Sequence, residues 1–525
     1  MLDSDFFSVE LAAGDVLGVA ASANVGLLTL HAPDESILIG SQQDLTSIFP
    51  AGSPLPGGSG GPVAHLVAPV AGTYTIELAF GVGTYTADAA VYRPALELGA
   101  PGDQQILFFD FDGASVDPSL FGGDPGSVSL SPLSAFLAGW GLSLAAENEV
   151  IDSILATVEE NLAADLQSSG VNPLFAVEIR NSRDHPDPFG GANVSRLIVG
   201  GTIDELGLST LGISQSIDPG NFGFAESAVV LLDLLSAAPS DPNSLNQYPL
   251  APGATRLDVV GRGVGNIVSH EAGHFLANFH TDQLDATPAI MDQGGVLSNT
   301  VGVGPDGIFG SGDDPDVDFV EDRFVPNEGF FGLEDTQAAT SFGLSSSSPD
   351  VTVDPGSVLI GLVPDGQDTT PLAIANLLGV ATLDWSLAEH TGQDCASAGA
   401  VPWLSVSPAA GSVGAGGSAL VDLEVDATGL PFATYTATLC LTSNDPDTPT
   451  LAIPVELIVS ACGPLDLVLE NDTVAGPLTF EACQSITARN GFTVGSGSVE
   501  LIAPQVILGD GFTLSAGASL TVTTP

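Results

Sequence analysis

The stretch "SHEAGHFLANFHTDQLDATPAIMDQGG", residues 269–295, constrains the fold of this chain more than any other. Three of the seven histidines, His270, His274 and His280, fall within eleven residues. His270 and His274 are four apart, so a helix stacks them one turn apart on one face. At about 100° per residue, Val268, Ala272, Phe275, Leu276 and Phe279 gather on the other side. A helix packed by that apolar stripe offers both imidazoles to a cleft, with Glu271 on its rim. His280 lies at the wrong azimuth for a continuing helix, so the helix is expected to stop near Ala277-Asn278. Asn is one of the few non-glycine residues that tolerate left-handed backbone, which makes Asn278 the expected turning point.

The residue types match a hydrolytic zinc site. Two neutral imidazoles one turn apart can both reach Zn²⁺ at ~2.0–2.1 Å, and a catalytic site adds a third protein ligand and leaves one position open. His280 is the expected third ligand. Glu271 is poorly placed to ligate but can accept a proton from water, whose pKa zinc lowers to about 7. An ordinary pair of histidines on a helix would need neither the third histidine nor the methionine that follows.

The spacing H-E-x-x-H-x-x-x-x-x-H, with Met291 in "AIMDQ" eleven residues after His280, resembles the metzincin metalloproteases. The resemblance implies an α+β catalytic domain with a mixed twisted sheet, an active-site helix, and a methionine turn beneath the metal. It also implies an edge strand that pairs with extended substrate, for which "SRLIVGG" and "FGFAESAVVLLD" are the candidates. Two positions depart from the pattern. Ala277 stands where many metzincins have glycine, and Gln293 where several have a tyrosine.

The remaining chain reads as accessory modules. Residues 1–96 alternate in strand fashion, and "DFFSVEL" with "AGTYTIEL" and "GTYTADAAVY" resembles the bacterial pre-peptidase C-terminal domain, a β-sandwich. Residues 100–345 mix strand-like runs with a helix carrying Val150, Ile151, Ile154, Leu155, Val158 and Leu162 at helical spacing. After the serine linker "LSSSSPD", residues 350–460 return to all-β patterning and resemble the immunoglobulin-like repeats of bacterial secreted proteins, with Trp385 and Trp403 as expected core residues. In residues 461–525, "ITARNGFTVGSGS" matches "VILGDGFTLSAGA" at a twenty-residue offset, which predicts a short β-solenoid-like tail. The fold expected is therefore multidomain: an α+β domain flanked by all-β sandwiches and that tail.

Composition limits the partners. Sixty-four acidic residues face eight basic ones, all arginine, for a net charge of −56. Nucleic acid and anionic membrane surfaces are repelled by such a chain. No apolar run approaches the ~20 residues that span a bilayer. "MLDSDFFSVELAAGD" shows no signal peptide, so an export signal is expected to have been trimmed or to lie in a longer product. Cys395 and Cys440 fall in one module and Cys462 and Cys483 in the next, none as a C-x-x-C pair, which fits two local disulfides and an oxidising, extracellular location.

Weaker signals remain. Asp306, Asp313, Asp314, Asp316 and Asp318 in "GPDGIFGSGDDPDVDF" offer oxygens for Ca²⁺, against the plain alternative of a solvated acidic loop. "VGRGVGNIV" contains G-x-G-x-G but leads into the histidine helix rather than out of a nucleotide-binding strand, so no phosphate site is expected. His31, His65, His185 and His390 show no grouping. The expected function is a secreted zinc endopeptidase acting on protein or peptide, with Glu271 as general base and β-modules that contact cell surface or matrix. The alternative is an exported adhesion or binding protein with a structural or degenerate zinc site.

Overall fold

Runs of Val, Leu, Ala and Thr punctuated by Gly and Pro build the first sandwich of the chain. In the computed structural model, which describes residues 4–524 apart from 59, 82, 393, 396–398, 400, 447 and 463, one sheet has the order Ser4–Leu11, Gly72–Ala79, Leu27–His31, Ile37–Ser41, Phe330–Phe331. The facing sheet joins Gly60–Val67, Val16–Ser22 and Ala87–Tyr92. Leu17, Val19, Leu28, Leu30, Val63 and Tyr74 fill the space between them. Removing such side chains from water contributes about 1.5–3 kcal/mol apiece.

The fifth strand of the first sheet comes from far downstream. Phe330 and Phe331 pair antiparallel with Ser41 and Gly40. Gly40 is required there, because a Cβ would lie 2.1 Å from the Phe331 ring. Phe279, Phe324 and Phe330 also enter the sandwich core. Residues 1–347 thus form one compact unit. The apolar residue just before His280 is thereby anchored in the sandwich.

The rest of that unit is built on a mixed five-stranded sheet in the order Val177–Asn181, Gln105–Asp110, Val194–Val199, Ser227–Val230, Gly212–Ser214. The first four strands are parallel, and the short last one is antiparallel. The helix Glu147–Glu159 lies between the strands Gln105–Asp110 and Val177–Asn181 in the chain. Its Val150, Ile154 and Val158 pack with Leu107, Phe109, Leu197, Val230, Val264, Val268 and Phe275 in a single core.

The histidine helix runs from Arg256 to Phe275, and Gly261, Gly263 and Gly265 lie inside it. A Cβ at Gly261 would sit 1.9 Å from Ser153 Oγ, at Gly263 2.6 Å from Leu245 Cδ2, and at Gly265 2.6 Å from Thr157 Cβ. Gly261 and Gly265 therefore form a groove that admits the helix Glu147–Glu159, while Gly263 makes room for Leu245 on another face. A reciprocal capping box starts the helix: Thr255 N donates to Asp258 Oδ2 at 2.7 Å and Asp258 N to Thr255 Oγ1 at 3.3 Å.

Residues 348–525 form the second unit. Its sandwich sets Thr352–Asp354, Gln367–Asn376, Gly417–Asp426 and Leu404–Ser407 against Val358–Leu362, Thr450–Val459, Ala433–Ser443, Leu383–His390 and Ala410–Val413. Strict alternation in "GSALVDLEVD" buries Val421, Leu423 and Val425 and exposes their neighbours. Trp385 and Trp403 are buried in the core. The disulfides join Cys395 to Cys440 and Cys462 to Cys483.

The tail has three stacked coils, one more than the two-copy repeat predicts. The strands Asp466–Leu469, Ser485–Ala488 and Gln505–Leu508 pair in parallel register, as do the two other faces of the coil. Thr493 pairs with Thr513, as the repeat alignment places them. The first coil has no sequence match to the others because Asp472 alone stands between Asn471 and Thr473, where the later coils carry Gly-Phe. Asn471 adopts φ 54° there, and Asn490 φ 47° one coil on.

Candidate metal centre

Phe275 closes the helix, and the next residues make the sharp turn that the third histidine needs. Asn278 N donates to Gly273 O at 3.0 Å. The left-handed residue is Ala277, at φ 96°, and not Asn278 as its residue type predicts. The turn is therefore made where glycine would be easier. Asn278 has other duties: its Nδ2 donates to Thr340 Oγ1 at 2.6 Å, and its carbonyl accepts from His274 Nδ1 at 2.8 Å. Glu334 completes the turn, both of its carboxyl oxygens lying within 3.2 Å of Phe279 N. Burial pushes the Glu334 carboxyl well above the usual range.

The turn brings the three imidazoles together. Ring centroids lie 4.9 Å apart for His270 and His274, 5.2 Å for His270 and His280, and 4.9 Å for His274 and His280. One nitrogen of each lies within 4.8 Å of the other two. Every Nδ1 is engaged elsewhere: with Ile290 O at 2.7 Å, Asn278 O at 2.8 Å and Glu328 Oε1 at 2.7 Å for His270, His274 and His280 in turn. That leaves three Nε2 atoms as donors and fixes each ring's tautomer, the arrangement a nitrogen-ligated cation requires. Burial and then the neighbouring rings keep His270 and His274 neutral, with His270 lowered to about 3 and His274 held well below the usual imidazole range. A three-nitrogen donor set with one open side fits zinc.

Met291 is fully buried under the helix. A Cβ at Gly273 would lie 2.5 Å from Met291 Sδ, so the glycine of "HEAGH" admits the methionine. The turn also carries ligand support, since Ile290 O holds His270 and Met291 O accepts from Thr281 N at 2.8 Å.

Glu271 is 4 % exposed, deeper than a rim position. The single proton of Ser214 Oγ faces two acceptors of Glu271, its backbone carbonyl at 2.6 Å and its Oε2 at 2.8 Å, and Gly212 leaves the space that Glu271 Oε1 fills, since a Cβ there would be 2.2 Å away. Burial pushes the Glu271 carboxyl up to about 7, against the lowering hydrogen bond from Ser214. A carboxyl so poised can both take and return a proton near neutrality. A cavity of about 350 Å³ opens over the group, lined by Thr210, Gly212, His270, Glu271, His280 and Gln293 among others.

The edge beside Glu271 is Gly212–Ser214, and this corrects the expected strands. "SRLIVGG" lies inside the sheet, and Ser227–Val230 of "FGFAESAVVLLD" is covered by Gly212–Ser214 on one side and Val194–Val199 on the other. Three residues are too few to show periodicity, so the sequence hid this strand. Ser214, Glu328 and Glu334 were equally invisible, because each lies more than forty residues from the group it holds. Gln293 supports the site indirectly, its Nε2 donating to Glu328 Oε1 at 2.8 Å.

The five aspartates nominated for Ca²⁺ divide. Asp306, Asp313 and Asp314 come together, each with an oxygen within 4.8 Å of the others. Their carboxylates already accept backbone N–H groups from Ile308, Asp306, Gly304 and Gly310. Asp316 and Asp318 face Glu160 and Asp165 instead, and burial followed by the charges of Asp316, Asp165 and Glu160 raises Asp318 to about 6.

No protein family's sequence profile matches this chain, and no curated protein does. Among solved structures, it resembles the seventh PapD-like domain of human CEP192, at 16% identity over 22% of this chain and 89% of that one, with a TM-score of 0.18. It resembles the CsuC–CsuE chaperone–adhesin complex of Acinetobacter baumannii at 15% identity over 22% of this chain and 54% of that one, TM-score 0.18. SSP-19 of Caenorhabditis elegans gives 16% identity over 21% and 99%, TM-score 0.16. Scores this low carry no functional argument. No helix among the described residues is long and apolar enough to cross a membrane.

Proposed function

We propose that the chain is an exported zinc-dependent endopeptidase of the metzincin type. The observation that carries the reading is the set of three histidines, each with its Nδ1 tied down, beside a buried glutamate and an open sheet edge. His270, His274 and His280 would hold the metal through Nε2. Zinc bound there supplies Lewis acidity toward a scissile carbonyl and acidifies water.

The other roles belong to the chain itself. Gly212–Ser214 offers its free edge to an extended peptide by strand addition. Glu271 takes the proton of the attacking water through its carboxylate and returns it to the leaving amine nitrogen. Ser214 holds Glu271 in line, and Glu328 fixes the orientation of His280. The accessory sandwiches and the tail are assigned no step in the reaction. The disulfides support an oxidising, extracellular setting.

A structural zinc site in an adhesion protein would leave Glu271, its serine partner and the cavity without a role. The test is chelation and reconstitution. Peptide cleavage should stop in chelator and return with zinc at one equivalent per chain. Cleavage that is indifferent to chelation would contradict the proposal.

A further inference from the structure

Two carboxylates outside the metal centre are buried without a cation. Asp218 and Glu226 lie in the connection between Gly212–Ser214 and Ser227–Val230 and are 0 % and 3 % exposed. Asp218 Oδ2 accepts Gly223 N at 2.6 Å, and Glu226 Oε1 accepts the Ser216 hydroxyl. Each acid nevertheless keeps one buried oxygen, Asp218 Oδ1 and Glu226 Oε2, with no partner among the described residues. Asn221 Oδ1, in the same turn and 1 % exposed, is a third such oxygen.

The two acids are neighbours. A Cβ built on Gly223 would be 3.2 Å from Asp218 Oδ2 and 3.4 Å from Glu226 Cδ, so both side chains wrap one glycine. Among the described residues, neither carboxyl makes an ion pair with an arginine or a histidine. Two buried, adjacent carboxylates with orphaned oxygens are costly as a pair of charges unless one of them takes a proton or something positive joins them.

We infer that Asp218 and Glu226 form a buried Ca²⁺ site, with Asn221 Oδ1 as the neutral oxygen of the same turn. The all-oxygen donor set selects a hard cation over zinc. Two negative charges call for a divalent one. Mg²⁺ keeps several waters and near-ideal octahedral geometry, which a turn this enclosed does not offer, whereas Ca²⁺ accepts irregular oxygen cages.

The site would act on the metal centre through the backbone. Asp218 N donates to His274 O at 3.0 Å, Ile217 N to Ile48 O at 2.9 Å, and Gly220 O accepts from Ala95 N at 2.9 Å. A cation gripping the turn therefore ties the C-terminal end of the histidine helix to the first sandwich. This inference stands whether or not the chain is a protease.

The test compares melting of the full chain, loaded with zinc, with and without millimolar Ca²⁺. Three proteins are needed: the native sequence, the pair Asp218→Asn with Glu226→Gln, and the pair Asp313→Asn with Asp314→Asn, which neutralises two carboxylates of the other acidic cluster. Ca²⁺ in hundredfold excess over its Kd should raise melting by about 5 °C in the native protein and the loop variant. The buried-pair variant should show no shift, and without Ca²⁺ it should melt above the native protein, because neutral amides replace the opposed charges. Should the double variant fail to fold, Glu226→Gln alone should lose one bound Ca²⁺ by equilibrium dialysis. An absent shift in the native protein, or an undiminished one in the buried-pair variant, overturns the site.

Discussion

Glu328 Oε1 lies 2.7 Å from His280 Nδ1 and 2.8 Å from Gln293 Nε2, so one carboxylate oxygen orients the third histidine from forty-eight residues away. His270 and His274 are oriented by backbone carbonyls and need no such partner. Loss of a residue that orients a metal ligand typically costs 10–100-fold in affinity. Glu328→Ala should therefore weaken zinc binding by roughly tenfold or more in a competition assay with a chromogenic chelator. Glu328→Gln, which can still accept through its carbonyl, should lose less.

Ser214 Oγ lies within hydrogen-bond distance of the carboxylate and the backbone carbonyl of Glu271, and among the described hydrogen bonds none joins its side chain to the three histidines. Removing a hydrogen bond to a charged group costs about 1.5–3 kcal/mol. Ser214→Ala should lower kcat by roughly tenfold or more and leave zinc stoichiometry unchanged. A fall in zinc content instead would mean that Ser214 supports the helix rather than the base.

Gly261 tests the helix groove. Alanine is better than glycine in a helix by about 1 kcal/mol. Here the added methyl meets Ser153 Oγ at 1.9 Å and the Ser153 backbone carbon at 3.0 Å, and overpacking costs about 1–3 kcal/mol. The steric term should win, and Gly261→Ala should lower stability by about 1 kcal/mol in urea denaturation. The companion substitution Ser153→Gly should restore part of it.

The pH dependence follows from buried acids. Burial, then the neighbouring Asp112, raises Asp110 to about 7, and burial followed by Asp285 and Asp292 raises Asp322 to about 7. Both carboxyls are raised above their unfolded values, so the folded chain holds protons that the unfolded chain releases. Their contribution to stability is full below about pH 4 and is lost as the pH rises through about 7. Burial lowers His270, His274 and His65, which pulls the other way as the pH falls below their unfolded value. The raised acids are more numerous, with Asp218, Glu226, Glu271 and Glu334 added to these two, so in metal-free buffer the first unit should melt at a higher temperature at pH 5.5 than at pH 8, measured by circular dichroism.

Much of the site was legible because its chemistry is local in sequence. His270, Glu271, His274 and His280 are set by one helix and one turn, and Met291 follows by a fixed interval. The helix Glu147–Glu159 was legible because Val150, Ile154 and Val158 repeat at its period. Long-range partners were not. Nothing in the spacing of Glu328 or Ser214 marks them as supports, since each is placed by the tertiary fold alone. Ala277 was misread because residue type favours Asn278 as the left-handed residue, yet Asn278 is held by Thr340 and His274. The edge strand Gly212–Ser214 was too short to carry a pattern, and the first solenoid coil lacks the glycine that marks the other two. The strand Phe330–Phe331 joins a sheet whose other members end by residue 79, a pairing no local signal announces.

The most direct test of the central claim is cleavage of a mixed peptide library by zinc-loaded protein beside Glu271→Ala, with zinc measured on both. The account predicts equal zinc in the two proteins and cleavage only with Glu271 present. Equal zinc with no cleavage by either protein, or equal cleavage by both, would contradict it.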